Sequence, residues 1–213
     1  MRIQPGGRRS DYDRGKLLEV DVDADPIVQT RRWLAEADEA EVVESTSMAV
    51  STVSDDGRVT SRNVLLRGLD TGFVFFTNYE SAKADDLASH PQCALLFSWL
   101  GLQRQIRIEG LAARLDDAAS DDYFASRPRG SQIGAWASPQ SHVLADRAEL
   151  EASVARAEAR FDGIDDIPRP PNWGGYRVLP DAFEFWQGRP SRLHDRLCYV
   201  PDGGGWVIRR LAP

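Results

Sequence analysis

The chain has 213 residues, 26 Lys and Arg against 33 Asp and Glu for a net charge of −7, and 42% hydrophobic residues, enough for a single buried core without disulfide or metal staples. The acidic balance counts against binding to nucleic acid or to anionic membrane surfaces, and the longest unbroken apolar run, Cys93-Ala94-Leu95-Leu96-Phe97, falls far short of the roughly 18 residues a spanning helix needs. No signal-like stretch opens the chain, its two cysteines lack C-x-x-C spacing and its three histidines are scattered, so a cytoplasmic protein with reduced thiols and no metal site is expected.

Residues 1 to 24 show no sustained period and are expected to form a flexible or clasping arm ahead of one domain over 25 to 213. Asp25-Pro26 is a cap followed by proline at the first helical position, and Ile27, Trp33, Leu34 and Ala37 supply an apolar stripe for that helix. From residue 46 the texture changes to strands. Met48 to Val53 and Val59 to Arg67 flank the hairpin signal Asp55-Asp56-Gly57, and Asp70-Thr71-Gly72 turns into Phe73 to Thr77. A short helix is predicted over Ser81 to His90. Cys93 to Trp99 reads as a strand buried on both faces, and Gln103 to Leu115 as another with Ile106 and Ile108 on one side. Helices follow over Asp117 to Ser126, Ser131 to Trp136 and Ala145 to Phe161, the last with Leu150, Val154, Ala157 and Phe161 on one face. Residues 167 to 175 read as a stiff linker, before strands at 176 to 179, 183 to 187, 192 to 200 and Trp206 to Leu211. Short turns between consecutive strands require antiparallel pairing, which favours an α+β fold, a closed or split β-barrel with peripheral helices. No G-x-G-x-x-G or G-x-x-x-x-G-K loop follows a strand.

Three clusters could carry chemistry. Arg192, His194 and Arg196 alternate along a predicted strand and so share a face; they form either a solvated edge or a site for an electron-rich anion. Tyr123, Arg127, Arg129 and Ser131 surround S-R-P-R-G-S at 126 to 131, where guanidinium forks and a hydroxyl suit a phosphate, although such residues also make ordinary surface loops. The third is Arg62-Asn63-Val64-Leu65-Leu66-Arg67 with Ser81-Ala82-Lys83, in which Ser81 would cap a helix whose first N–H groups and Lys83 attract an anion. Arg62 and Arg67 have opposite strand parity, so they serve one pocket only if the strand bulges or the ligand wraps its end. Trp186 offers an aromatic wall for a flat ring, or simply core.

Together, RNVLLR (62 to 67), FFTN (75 to 78), RQ (104 to 105), YFASRPRGSQIGAW (123 to 136), SPQS (138 to 141), WGGYRV (173 to 178), EFWQG (184 to 188), RLHDR (192 to 196) and RRLAP (209 to 213) resemble the pyridoxamine 5′-phosphate oxidase family over residues 25 to 213. The resemblance implies an FMN-binding split barrel that works as a homodimer, with the flavin held between two subunits. It implies that Arg62 and Lys83 bind the FMN phosphate, that Asn63, Val64, Leu65, Leu66, Arg67, Phe76 and Thr77 run beside the cofactor, and that Gln105, Gln140, Ser141, Trp186 and Arg196 complete its site. Arg67, Tyr123, Arg127 and Ser131 would hold the substrate phosphate, with Arg192 and His194 over the pyridine ring as catalytic residues. The implied reaction is oxidation of pyridoxamine or pyridoxine 5′-phosphate to pyridoxal 5′-phosphate, with O2 reduced to H2O2. Two readings compete with it: a related FMN oxidase of the phenazine-pathway type, and a flavin or pyridoxal-phosphate binding protein without turnover. Arg67 stands where the family usually has lysine, and Ala82 where a basic residue often precedes the lysine.

Overall fold

The computed structural model describes residues 12–213. The described chain divides into two compact units: the segment up to Ser45 with Leu96–Ile108 and Ala182–Pro213, and Thr46–Leu95 with Glu109–Asp181. Among the described residues, no helix is long and apolar enough to cross a membrane.

The second unit is built around hairpins. Strands β1 (Ser47–Val53) and β2 (Val59–Leu65) pair antiparallel across the Asp55-Asp56-Gly57 turn, where Gly57 takes a φ of 79°. Strand β1 alternates as the period of two requires, burying Met48, Val50 and Thr52. Short β3 (Gly68–Leu69) turns into β4 (Phe73–Asn78), and β4 pairs antiparallel with the start of β7 (Trp173–Gln187). The rest of the nine-stranded sheet comprises β5 (Gln92–Trp99), β6 (Arg104–Arg114), β8 (Asp195–Asp202) and β9 (Gly205–Arg210). Its order is β2-β1-β5-β6-β7-β4-β3, with β8 pairing β7 and β9. Helix α2 (Ala82–Ser89) follows β4. Helices α3 (Asp117–Ala125), α4 (Arg129–Ala137) and α5 (Arg147–Arg160) enclose a cluster of Phe124, Ile133, Ala137, Ala157, Phe161, Ile167 and Trp173.

In the first unit, Asp25 caps helix α1 (Pro26–Glu39) by accepting from the Ile27 N–H, as Asp-Pro predicts. Its buried stripe is Pro26, Gln29, Thr30, Trp33 and Ala37; the expected Ile27 and Leu34 are only half-buried at its margin. Trp33 meets Phe185 edge-on at 5.2 Å, and Phe185 continues to Tyr199 at 5.4 Å. Residues 12 to 24 run along this unit: Leu17 is buried and donates its N–H to Asp195, and Glu19 pairs with Arg210. The part of the expected arm over 1 to 11 lies outside the described residues.

Several boundaries differ from the sequence expectation for identifiable reasons. Strand β5 buries alternate residues only, and Leu96 stays 36% exposed, because one of its faces is uncovered in the chain. Strand β2 stops at Leu65, two residues short of Arg67. Residues 173 to 175 are strand and not linker: a Cβ on Gly174 would fall 2.2 Å from Tyr79 Oη and one on Gly175 2.5 Å from Leu115 Cδ1, so these glycines serve close packing and not flexibility. The strands expected at 176 to 179 and 183 to 187 are one, β7. The one expected over 192 to 200 starts only at Asp195, since Ser191 and Arg192 adopt φ of 57° and 63° in a 3₁₀ turn over Pro190–Arg192. On α5 only Ala157 is buried, with Phe161 closing the helix; Leu150 and Val154 are half-exposed.

Candidate active site

The second unit holds a cavity of about 700 Å³, within the range of small-molecule sites. Its walls come from the end of β2, from β4, from the start of α2, from the α3–α4 corner and from the loop carrying Gln140. Among the described residues four cations line it, Arg62, Arg67, Lys83 and Arg127, and no carboxylate does. Like charges gathered without counter-charge are costly unless an anion compensates them.

Arg62 and Arg67 reach the same cavity because the backbone changes partner between them. The Leu66 N–H still donates to Thr46 O on the β1 side at 2.9 Å, whereas the Arg67 N–H donates to Val74 O of β4 at 2.8 Å. Parity along one strand therefore does not apply. Leu66 itself is buried at the crossing and does not line the cavity.

Lys83 is buried, and its ammonium donates to Thr77 Oγ1 at 2.9 Å, Ser81 Oγ at 3.2 Å and Gln140 Oε1 at 2.6 Å. Burial first, and the nearby Arg62 second, lower its pKa to about 8. Ser81 occupies the N-cap position but does not cap: its hydroxyl donates to Asn78 O and accepts from Lys83, so the helix-end anion site expected there is built from the lysine instead. Burial also pulls Arg62 below its ordinary value, opposed by Asp86.

The opposite part of the wall is aromatic. Phe76 stacks on Tyr123 with ring centroids 3.9 Å apart and on Trp173 at 5.4 Å, all three rings nearly parallel. The Arg127 guanidinium lies 4.5 Å from the Trp173 ring centroid, and its Nη1 is buried without a hydrogen-bond partner. Burial lowers its pKa, Tyr123 acts in the other direction, and Arg67 lowers it further. A buried guanidinium nitrogen without an acceptor, beside a second arginine, is an incomplete anion site. Arg129, grouped with these residues from the sequence, points elsewhere and ties Phe161 O and Ile164 O.

Of the residues singled out from the sequence, the cavity unites Arg62, Asn63, Val64, Leu65, Arg67, Phe76, Thr77, Lys83, Tyr123, Arg127, Ser131 and Gln140. Ser126, Pro128 and Trp173 also line it, although within their motifs they had been given no role in a site. Trp173 was hidden by its placement in an expected linker; the glycines after it, needed for close approach, were the available signal. Ser141 is exposed, at a φ of 72°.

Gln105, Trp186, Arg192, His194 and Arg196 belong to the first unit and do not line this cavity. The shared strand face expected for Arg192, His194 and Arg196 does not exist, because the strand begins after His194. Arg196 makes a two-pronged ion pair with buried Glu184, at 2.7 and 3.0 Å, and donates to Ala212 O; Arg107 also reaches Glu184 at 3.0 Å. The His194 ring packs 4.6 Å from Trp186 and 5.6 Å from Tyr12, and its Nδ1 accepts from the Arg189 N–H at 3.0 Å. Nδ1 is thereby engaged, which leaves Nε2 as the ring nitrogen without a hydrogen-bond partner among the described residues. Arg192 is exposed and Gln105 half-buried.

Residues 34–161 match the family model described as pyridoxamine 5′-phosphate oxidase. The chain belongs to the pyridoxamine 5′-phosphate oxidase family. Residues 173–213 of this family member match a second model, the pyridoxine 5′-phosphate oxidase C-terminal dimerisation region. A pyridoxine/pyridoxamine 5′-phosphate oxidase of Burkholderia lata is 55% identical over 209 residues, covering 96% of this chain and 97% of the relative. The solved structure of PhzG from the same species, in complex with tetrahydrophenazine-1-carboxylic acid, is 36% identical with a TM-score of 0.86, covering 92% of this chain and 98% of PhzG. A pyridoxamine 5′-phosphate oxidase-related, FMN binding protein of Nostoc punctiforme shares the fold at a TM-score of 0.70 and 18% identity, over 90% of this chain and all of that one. These likenesses bear out the antiparallel split-barrel fold expected from the sequence.

Proposed function

We propose that this family member is an FMN-dependent oxidase that converts pyridoxamine or pyridoxine 5′-phosphate to pyridoxal 5′-phosphate, with O2 reduced to H2O2 and, for the amine, water consumed and ammonia released. The observation that carries this reading is the presence of two cation pairs in one cavity, Arg62 with Lys83 and Arg67 with Arg127, enough for two phosphates. One phosphate belongs to the cofactor and one to the substrate. The residues present fit FMN, since Arg62 and Lys83 on the cavity wall can take its phosphate and parallel aromatic rings border the same space. Bound FMN would supply the two-electron redox chemistry that side chains cannot.

In this reading Arg62 and Lys83 hold the cofactor phosphate, and Asn63, Val64, Leu65, Leu66, Phe76, Thr77, Gln105, Gln140, Ser141, Trp186 and Arg196 complete its surroundings. Arg67, Tyr123, Arg127 and Ser131 clamp the substrate phosphate and so fix the position of the ring. Arg192 orients the substrate. His194, whose Nδ1 is engaged by the Arg189 N–H, would act with Arg192 to assist movement of the proton off the C4′ substituent. The matched dimerisation region supports a homodimer whose two subunits share each flavin site.

The likeness to PhzG keeps one other reading open, an oxidase acting on a phenazine-type carboxylate. Such a ligand would set a single carboxylate against the Arg67–Arg127 pair, where a phosphate offers more charge and more acceptor oxygens to the same two guanidinium groups. The test is anaerobic mixing of the flavin-loaded protein with pyridoxamine 5′-phosphate, pyridoxine 5′-phosphate and tetrahydrophenazine-1-carboxylate. Rapid bleaching of the flavin by the first two is expected. Bleaching by the phenazine alone would transfer the assignment.

A further inference from the structure

Asp86 sits on α2, has 9% of its surface exposed, and makes no direct ion pair among the described residues. Its Oδ2 accepts a hydrogen bond from Thr52 Oγ1 at 2.5 Å and lies 3.4 Å from Thr60 Oγ1. Thr52 and Thr60 are directly opposed across the β1–β2 hairpin, and Val50 is opposed to Arg62. On this face both hydroxyls also touch the Arg62 guanidinium: Nη1 donates to Thr52 Oγ1 at 2.7 Å and to Val50 O at 3.2 Å, and Nη2 donates to Thr60 Oγ1.

A hydroxyl has one proton and two lone pairs. The proton of Thr52 goes to the carboxylate, which leaves its lone pairs to Arg62; Thr60 is polarised in the same direction. Of the five guanidinium protons, these contacts take both on Nη1 and one on Nη2, leaving Nε–H and the second Nη2–H. That remaining edge is the fork that binds a phosphate with two parallel bonds.

We infer that Asp86 is a positioning residue for the anion site, acting through the Thr52 and Thr60 hydroxyls to hold Arg62 with its Nε–Nη2 edge free for phosphate. This rests on the reading of Arg62 as a contact to the FMN phosphate. An amide at position 86 can present N–H to Thr52, reversing the hydroxyl so that its proton opposes the guanidinium.

The experiment is a double-mutant cycle on the dissociation constant of FMN, read from quenching of flavin fluorescence in apoprotein, with circular dichroism as the check on folding. Asp86→Asn is expected to weaken FMN about tenfold, the loss of roughly one charge-assisted hydrogen bond. In an Arg62→Ala background the same change is expected to have no further effect. Thr52→Val should reproduce the loss without touching the carboxylate, and Thr52→Ser should restore wild-type binding. A purely structural role for Asp86 would lower stability but show no such coupling to Arg62. Wild-type affinity in both Asp86→Asn and Thr52→Val, or an equal loss with and without Arg62, overturns the relay alone. Unchanged FMN affinity in Arg62→Ala overturns the underlying cofactor assignment, and the relay with it.

Discussion

Replacing Arg127 by methionine separates its two roles. The guanidinium lies over Trp173 at 4.5 Å and over Phe124 at 5.7 Å, and its Nη1 is buried without an acceptor. Methionine keeps an unbranched chain against the Trp173 ring and removes the charge. The lost cation–π attraction is worth about 0.5–2 kcal/mol, and removing a buried donor without a partner returns about 1–3 kcal/mol. These are of similar size and opposite sign. The melting temperature should therefore stay within about 5 °C of wild type, at roughly 2–4 °C per kcal/mol for a chain of this length. Binding of the substrate phosphate responds differently. Two charge-assisted hydrogen bonds at about 1.5–3 kcal/mol each, reduced by the cost of immobilising the ligand, leave roughly 3 kcal/mol, or about two orders of magnitude. The assay is kcat/KM for pyridoxamine 5′-phosphate and for free pyridoxamine in wild type and Arg127→Met. The phosphorylated substrate should lose about a hundredfold while free pyridoxamine changes by less than about threefold. An unchanged ratio between the two substrates would refute the phosphate clamp. A melting temperature lower by more than about 10 °C would show that Arg127 is chiefly structural.

The buried ammonium of Lys83, with its pKa lowered from 10.5 to about 8, makes FMN affinity depend on pH. Above pH 8 the folded, ligand-free site loses its charge while the unfolded chain keeps it up to about 10.5, so stability of the apoprotein rises across that window and FMN affinity falls; a dissociation constant that is flat from neutral pH to the alkaline end of the window would contradict this. Arg192→Ala and His194→Ala should slow anaerobic flavin reduction by pyridoxamine 5′-phosphate while retaining FMN, and a wild-type single-turnover rate in both removes them from the substrate side. Gly110→Ala should destabilise the protein by about 2–3 kcal/mol, because its Cβ would fall 2.3 Å from the backbone oxygen of Leu179 on the neighbouring strand; a wild-type urea midpoint would show that β6 and β7 can part at no cost.

Much of this protein is written locally. The Asp25-Pro26 cap, the Asp55-Asp56-Gly57 hairpin, the alternation in β1 and the paired isoleucines Ile106 and Ile108 depend on neighbours within a few residues, and each appears where its pattern places it. The motifs at 62 to 67, 81 to 83 and 123 to 131 were legible as chemistry for the same reason: arginine, lysine and hydroxyl groups keep their donor geometry wherever the chain puts them, whereas Gln140 came only with the family resemblance. What tertiary structure decided is where those donors point. Arg67 joins Arg62 only because the chain exchanges one strand partner for another between Leu66 and Arg67. Ser81 serves Lys83 and not the helix end, and Arg129 leaves the cluster to hold the turn after α5. The alternation assumed for Arg192, His194 and Arg196 failed because two left-handed residues precede the strand, a backbone choice that no periodicity announces. Trp173 and the Asp86–Thr52–Arg62 chain lay beyond the sequence for a common reason. Both are contacts between residues at least ten positions apart, and local pattern constrains the conformation of a segment but not what it will be folded against.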